Sequence, residues 1–239
     1  MRGVLITGAA GSIRDSVARS LVNDGWSVII DEPNPEAARA AASHMGSLVS
    51  WRGLELPEQR DPDALLNALT QEGGVEALVH VGSGLKTLGV PVRPFLDSKP
   101  ADWRRLIDHN IHDMLDMTAA FLRHRIGRGG GGAIFSLTSA SGFRGAPQAN
   151  VWSAVQAGLQ VFAQNMAGDC AVHGIRINCV AHGETDLPMT DSCGNPQQPA
   201  LGPGEPGIEA GRATAFLLSH RAGHITGSCI DVTGGWALH

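Results

Sequence analysis

Gly3-Val4-Leu5-Ile6-Thr7-Gly8-Ala9-Ala10-Gly11-Ser12-Ile13 decides the reading of this chain. A short apolar run stops at a glycine-rich turn, and an amphipathic stretch from Ser12 to Asp24 follows, which predicts a strand, a tight turn and a helix. Glycines at such a turn let the backbone approach a pyrophosphate seated on the helix N-terminus, although close strand–helix packing alone also selects glycine. Asp31 and Glu32 close the next apolar run about 20 residues on, where an acid hydrogen-bonds a ribose hydroxyl and repels a 2′-phosphate.

Outward from that turn, short apolar runs alternate with amphipathic stretches to the end of the chain. Strands are expected at Gly3–Thr7, Ser27–Asp31, Ser47–Trp51, Ala77–Val81, Ala133–Leu137, Arg176–Ala181 and Ser228–Val232. Helices are expected at Ser12–Asp24, Pro35–Met45, Pro62–Glu72, Pro100–Arg125, Ala149–His173 and Ile208–Ser219. This alternation predicts an α/β fold, a doubly wound parallel sheet of about seven strands in a single domain over residues 1–239. The run from Arg128 to Gly132 is nearly all glycine and reads as a floppy turn before the fifth strand. The stretch 185–206, rich in Pro, Gly, Asn and Gln, reads as a lid or binding loop.

Composition narrows the function. Lys plus Arg number 18 against 23 Asp plus Glu, a net charge of -5, which argues against a nucleic-acid or membrane-surface partner. With 43% hydrophobic and 17% charged residues in 239, the chain suits a buried core and not disorder. No apolar run reaches the length of a membrane span, and the opening residues read as a strand and not as a signal peptide, so a cytoplasmic location is expected. Cys170, Cys179, Cys193 and Cys229 are scattered without a CxxC pair and read as buried free thiols, with no metal site.

Beyond the glycine turn, Ala77-Leu78-Val79-His80-Val81-Gly82, Asn110 within a helix, Thr138-Ser139-Ala140-Ser141-Gly142, Gly174-Ile175-Arg176-Ile177-Asn178 and Ile225-Thr226-Gly227 before Gly234-Gly235-Trp236 follow in an order that resembles the short-chain dehydrogenase/reductase family. The resemblance spans essentially the whole chain. It implies a Rossmann-like sheet, a nicotinamide cofactor bound through Thr7, Gly8, Gly11, Ser12, Ile13 and Asp31, and a dimer or tetramer built from the helices near 100–125 and 149–173. It also implies a catalytic set of Asn, Ser and Tyr-x-x-x-Lys. In that set the tyrosine moves the carbinol proton, the lysine lowers its pKa, and the serine polarises the carbonyl.

Asn110 and Ser139 match that set, and the pair that should follow does not. Thirteen residues on from Ser139 stands Trp152, and four further stands Gln156. No register shift repairs this, because the chain has no tyrosine and its last lysine is Lys99. An indole N–H is no acid near neutral pH, and an amide carries no charge. Departures continue around the cofactor positions. Ser12 and Arg14 stand for the second and third glycines of the family turn. His80-Val81-Gly82-Ser83 stands for its Asn-Asn-Ala-Gly, His182-Gly183 for a Pro-Gly, and Leu187 for a threonine. Arg14 either grasps a pyrophosphate or points to solvent, and neither restores normal binding, so the cofactor positions read as vestigial.

Three readings follow. The chain resembles the inactive partner in heteromeric members of the family, a structural or regulatory subunit of an active NAD-dependent dehydrogenase, for example of a hydroxyacyl-CoA type. A second reading is an NAD-dependent oxidoreductase with a rearranged site. A third is a cofactor-free lyase or isomerase using Ser139 with His80 and His182, both expected at the C-terminal edge of the sheet. His109 and His112 share a helix face, but no third metal ligand accompanies them. Val151, Val155, Leu159, Phe162 and Met166 form a wide apolar face on the helix of Trp152. Core packing accounts for half of that face, a partner surface for the rest, and Trp152 is expected to fill the former active-site cleft.

Overall fold

A computed structural model describes residues 2–8, 11–31, 36, 49–52, 61–70, 74–183, 186–188, 195 and 197–236. Seven strands, β1 (Gly3–Gly8), β2 (Ser27–Asp31), β3 (Val49–Arg52), β4 (Ala77–Val81), β5 (Gly132–Ser139), β6 (Ile175–His182) and β7 (Cys229–Val232), form one sheet. Its order is β3-β2-β1-β4-β5-β6-β7, and every neighbouring pair is parallel. The chain reverses its direction of winding between β1 and β4, the place where open sheets of this kind leave a crevice at their C-terminal edge.

Helices cover both faces, which is why the strands are continuous apolar runs. On one face α1 (Ser12–Asn23) and the C-terminal helix Pro206–Leu218 pack Val17, Leu21 and Leu217 against Ile6, Val79, Phe135 and Val180. On the other, α2 (Pro62–Thr70) and two longer helices pack Leu65, Phe121 and Ala163 against Leu5, Leu78, Ile134 and Ile177. The expected helix from Pro100 to Arg125 is two helices, α3 (Pro100–Ile107) and α4 (Asp113–Gly127), joined by a π turn over Asp108–His112. Within that turn the Asp113 N–H reaches five residues back to the Asp108 carbonyl. Apolar spacing shows no break there, because one extra residue in a turn leaves a continuous amphipathic pattern. A short α5 (Ser141–Arg144) precedes α6 (Asn150–Ala171), and the C-terminal helix is α7. The expected helix Pro35–Met45 lies outside the described residues apart from residue 36, as do parts of the expected lid 185–206.

Two local features fix the strand ends. Gly8 ends β1 at φ +106, and a Cβ there would land on the Val81 carbonyl oxygen of β4. Only glycine allows the two strands to lie so close at their C-terminal ends. The glycine run before β5 is not a loose turn: Gly129, Gly130, Gly131 and Gly132 all sit at positive φ. The Arg125 guanidinium holds it, donating from Nε to the Gly131 carbonyl at 2.8 Å, from Nη2 to Gly130 at 3.1 Å and from Nη1 to Val75 at 3.2 Å.

The described cysteines are free thiols, Cys170 and Cys179 buried and Cys229 partly buried. Cys179 and Cys229 are register partners on β6 and β7. The hydrogen bond that the Cys179 thiol donates to the neighbouring Cys229 sulfur, with burial, pushes Cys179 well above its ordinary range. Among the described residues no helix is long and apolar enough to cross a membrane.

Gly8→Ala combines a positive-φ penalty with a backbone clash and should cost about 3 to 5 kcal/mol in urea unfolding. Arg125→Met removes three charge-assisted bonds to carbonyls and should cost about 1.5 to 3 kcal/mol, with faster amide exchange confined to residues near the 128–132 turn.

Candidate active site

The crevice at the end of β1 and β4 is bounded by the start of α1, the β4 exit, the end of β5 and the first turns of α6. Gly11, Ser12, Ile13, Arg14, Trp152, Gln156 and His182 all line it. The start of α1, expected to meet a cofactor, and the two residues that replace tyrosine and lysine therefore share one cleft, of about 240 Å³, while Asn110 and Ser139 are buried and do not line it.

Asn110 sits in the π turn and is fully buried. Its Nδ2 donates to the Leu106 carbonyl at 3.0 Å and the Ser83 carbonyl at 3.2 Å, and its Oδ1 accepts the Ser83 N–H at 2.9 Å. One side-chain amide thus ties the β4 exit to the widened turn of the helix.

Ser139 is the last residue of β5. Its hydroxyl lies 2.8 Å from the Ser141 hydroxyl and accepts the Ser141 N–H at 3.0 Å. Its own N–H donates to Gln156 Oε1 at 2.8 Å. Gln156 therefore anchors α6 to the end of β5 through a neutral hydrogen bond, and its Nε2 is buried without an acceptor. Gln160, one turn on, reaches Thr138 Oγ1 and the Ser139 carbonyl at 3.4 Å each. Its role at the end of β5 went unread in the sequence, since glutamines at i and i+4 look like a solvated helix face.

Trp152 fills the cleft, as its bulk suggested. It is 7% exposed and packs in an apolar cluster with Leu85, Leu106, Val155 and Leu187. Of the wide apolar face on α6, Val155 and Leu159 are buried, and Val151, Phe162 and Met166 are partly buried against the core clusters. Val161, also on α6, is exposed.

Arg14 does not point to solvent. It is 2% exposed, with Nε and Nη2 each 3.4 Å from Asp15 Oδ1. A guanidinium thus occupies space that a glycine would leave open. Thr7 is buried beside the turn, and Asp31 is buried at the end of β2.

The histidine pair is not brought together. Thr7, His80 and Ser136 are in register, as are Ser139 and His182. Side chains alternate along a strand, so His80 shares the face of Leu78, and His182 shares the opposite face with Val180. His80 also stands two strands away from His182, about 10 Å across the sheet. Its Nδ1 meets Thr7 Oγ1 at 3.1 Å inside the sheet packing. His182 Nδ1 donates to the Gly183 carbonyl at 2.6 Å at the cleft edge. No single substrate reaches both rings. His109 and His112 instead pair with Asp113 at 3.6 Å and Asp108 at 2.9 Å on the helix surface.

Of the described residues after β6, Asp186 lines the cleft. Asp186 Oδ2 accepts the Lys86 N–H at 2.9 Å, with Lys86 Nζ 3.9 Å from Oδ1, and Leu187 is buried beside Trp152.

The family model for short chain dehydrogenases matches residues 2–198. Nodulation protein G of Rhizobium sp. (strain N33) is 30% identical over 244 residues, covering 99% of this chain and 97% of the relative. The 3-oxoacyl-(acyl-carrier-protein) reductase FabG of Vibrio cholerae is 30% identical over 240 residues, covering 97% of this chain and 95% of the relative. Among solved structures, the 3-ketoacyl-(acyl-carrier-protein) reductase of Brucella melitensis, complexed with NADH, superposes with a TM-score of 0.81 at 23% identity, covering 99% of this chain and 98% of the other. With its parallel seven-stranded sheet, its glycine turn and the family match over most of its length, the chain belongs to the short-chain dehydrogenase family of oxidoreductases.

Proposed function

We propose that this chain is a catalytically degenerate subunit of the family, which performs no hydride transfer by itself and serves as the structural or regulatory partner of an active NAD-dependent dehydrogenase. One observation carries the reading. The two positions on α6 where the family pattern puts tyrosine and lysine hold Trp152 and Gln156, and the chain contains no tyrosine to supply a proton and no lysine beyond Lys99. Carbonyl reduction needs an acid within hydrogen-bond reach of the new alkoxide. Ser139 alone, with its hydroxyl already bonded to Ser141, offers no such acid.

The cofactor test points the same way. A cleft of about 240 Å³ falls below the roughly 300–1,000 Å³ typical of sites for drug-sized ligands, and a dinucleotide is larger still. Arg14, Trp152 and Leu187 take up the space, and the Lys86 N–H holds Asp186 at the cleft wall. The described cleft is smaller than a whole dinucleotide, and no reaction step is routed through one. The vestigial cofactor positions Thr7, Gly8, Gly11, Ser12, Ile13 and Asp31 and the catalytic remnants Asn110 and Ser139 belong to this reading too, kept for the fold and not for chemistry.

A partner explains why such a scaffold is kept. Ile107 on α3, Leu115 on α4 and Val161 on α6 are exposed at 37%, 37% and 53%, a set of apolar side chains on the helices that the family resemblance assigns to subunit contact. Several relatives carry the name 3-oxoacyl reductase, which supports a sister enzyme interconverting an oxo and a hydroxy group on an acyl carrier such as CoA. The whole chain acts as one domain in this assembly, within the cytoplasm.

The test is to incubate the purified chain with a 3-oxoacyl-CoA and NADH, then NADPH, and follow the loss of reduced cofactor. We expect no consumption above buffer and no heat of NADH binding in calorimetry. Turnover that disappears in Ser139→Ala overturns the reading and favours a rearranged NAD-dependent site. Purification of the tagged chain from its own cells is expected to bring down one homologous chain that retains Tyr-x-x-x-Lys, in equal amount; recovery of this chain alone overturns the partner role.

A further inference from the structure

We infer that the cleft beside Ser139 binds a small organic carboxylate, a proposal that rests on the reading that the cleft no longer serves hydride transfer. Two residues that line it each carry a buried donor without an acceptor. Gln156 is 1% exposed and Trp152 7% exposed, both line the cleft, and Gln156 Nε2 and Trp152 Nε1 each lack a hydrogen-bond partner. They stand four residues apart on α6, one turn of helix, so both project to the same side. A buried N–H without an acceptor is costly, and two converging on one cleft point to an acceptor that comes from outside the chain.

The charge of that acceptor follows from what else lines the cleft. The Arg14 guanidinium is buried there, held by Asp15. The N-terminus of α1 opens there as well, with Gly11 at its cap making no side-chain hydrogen bond. A guanidinium and an uncapped helix start both favour an anion. Asp186 is the acid on the cleft wall, and it is already engaged by Lys86. Ile13, Val81 and Leu137 supply an apolar wall opposite the donors. The cleft, about 240 Å³, equals the space of about eight waters, room for a carboxylate on a small apolar body. An alcohol or amine would set donors against donors. Inorganic phosphate would leave the apolar wall unmatched.

Calorimetric titration of the full chain with benzoate tests this, with benzyl alcohol, inorganic phosphate and NADH titrated in parallel. Benzoate is expected to bind one to one and raise the melting temperature, while benzyl alcohol and phosphate do neither. Gln156→Glu keeps the bond to the Ser139 N–H and replaces the unmatched donor by a carboxylate; it should weaken benzoate by about a hundredfold or more with the fold intact by circular dichroism. Trp152→Phe should weaken it about tenfold, the loss of one hydrogen bond. Equal affinity for benzyl alcohol, binding of phosphate without benzoate, or an unchanged affinity in Gln156→Glu overturns the proposal. A chain that binds neither benzoate nor NADH loses this inference and keeps the functional reading. One that binds NADH and not benzoate loses both. One that binds benzoate and also oxidises NADH with a 3-oxoacyl-CoA loses the functional reading alone.

Discussion

The Asn110 amide holds together the part of the molecule where everything else converges. Its three bonds, to the carbonyls of Leu106 and Ser83 and from the Ser83 N–H, join the exit of β4 to the π turn between α3 and α4. With Asn110 fully buried, water cannot replace any of them, so the β4 exit has one position relative to the helix. From that position follow the wall of the cleft opposite α6 and the seat of Leu85, against which Trp152 packs. A residue that the resemblance assigns to catalysis thus has a full structural role whether or not chemistry takes place beside it.

That dual role explains what was legible in the sequence. The seven strands, their parallel arrangement and the turn at Thr7–Gly11 could be read because apolar runs, glycines and amphipathic stretches report local geometry directly. Gln156 and Trp152 were legible as replacements because a fixed spacing on one helix survives any detail of packing. The histidines were misread for a definite reason. His80 and His182 both lie near strand ends in the sequence, but which face each one takes depends on strand register, and register is a relation between distant segments. The Cys179–Cys229 pairing was invisible for the same reason, since fifty residues separate two thiols that lie side by side on β6 and β7. Arg14 escaped prediction because a long charged side chain after a glycine turn usually reaches water, and here its burial depends on space left by other substitutions. The glycine run before β5 was misjudged because its order comes from Arg125, a residue of the preceding helix.

The cleft departs from the family pattern in both bulk and charge. A tyrosine–lysine pair would set one acid and one cation beside Ser139; Trp152 and Gln156 set bulk and a neutral amide there. Volume is conserved while charge is removed, so the surrounding apolar cluster keeps its packing and the sheet edge keeps its shape. Arg14 brings a positive charge back to the same cleft from the opposite wall. A cation of this cleft therefore stands at the start of α1, paired with Asp15, and not on α6.

The π turn has a consequence for how this chain can change in length. A π turn is one residue wider than an α turn, so removing one residue from Asp108–His112 would let the helix close to ordinary bonding with α3 and α4 still in phase and Met114 and Met117 still in the core. What would go is the widened turn that seats Asn110 against Ser83. The extra residue is thus kept for the position of one side chain and not for the packing of the helix.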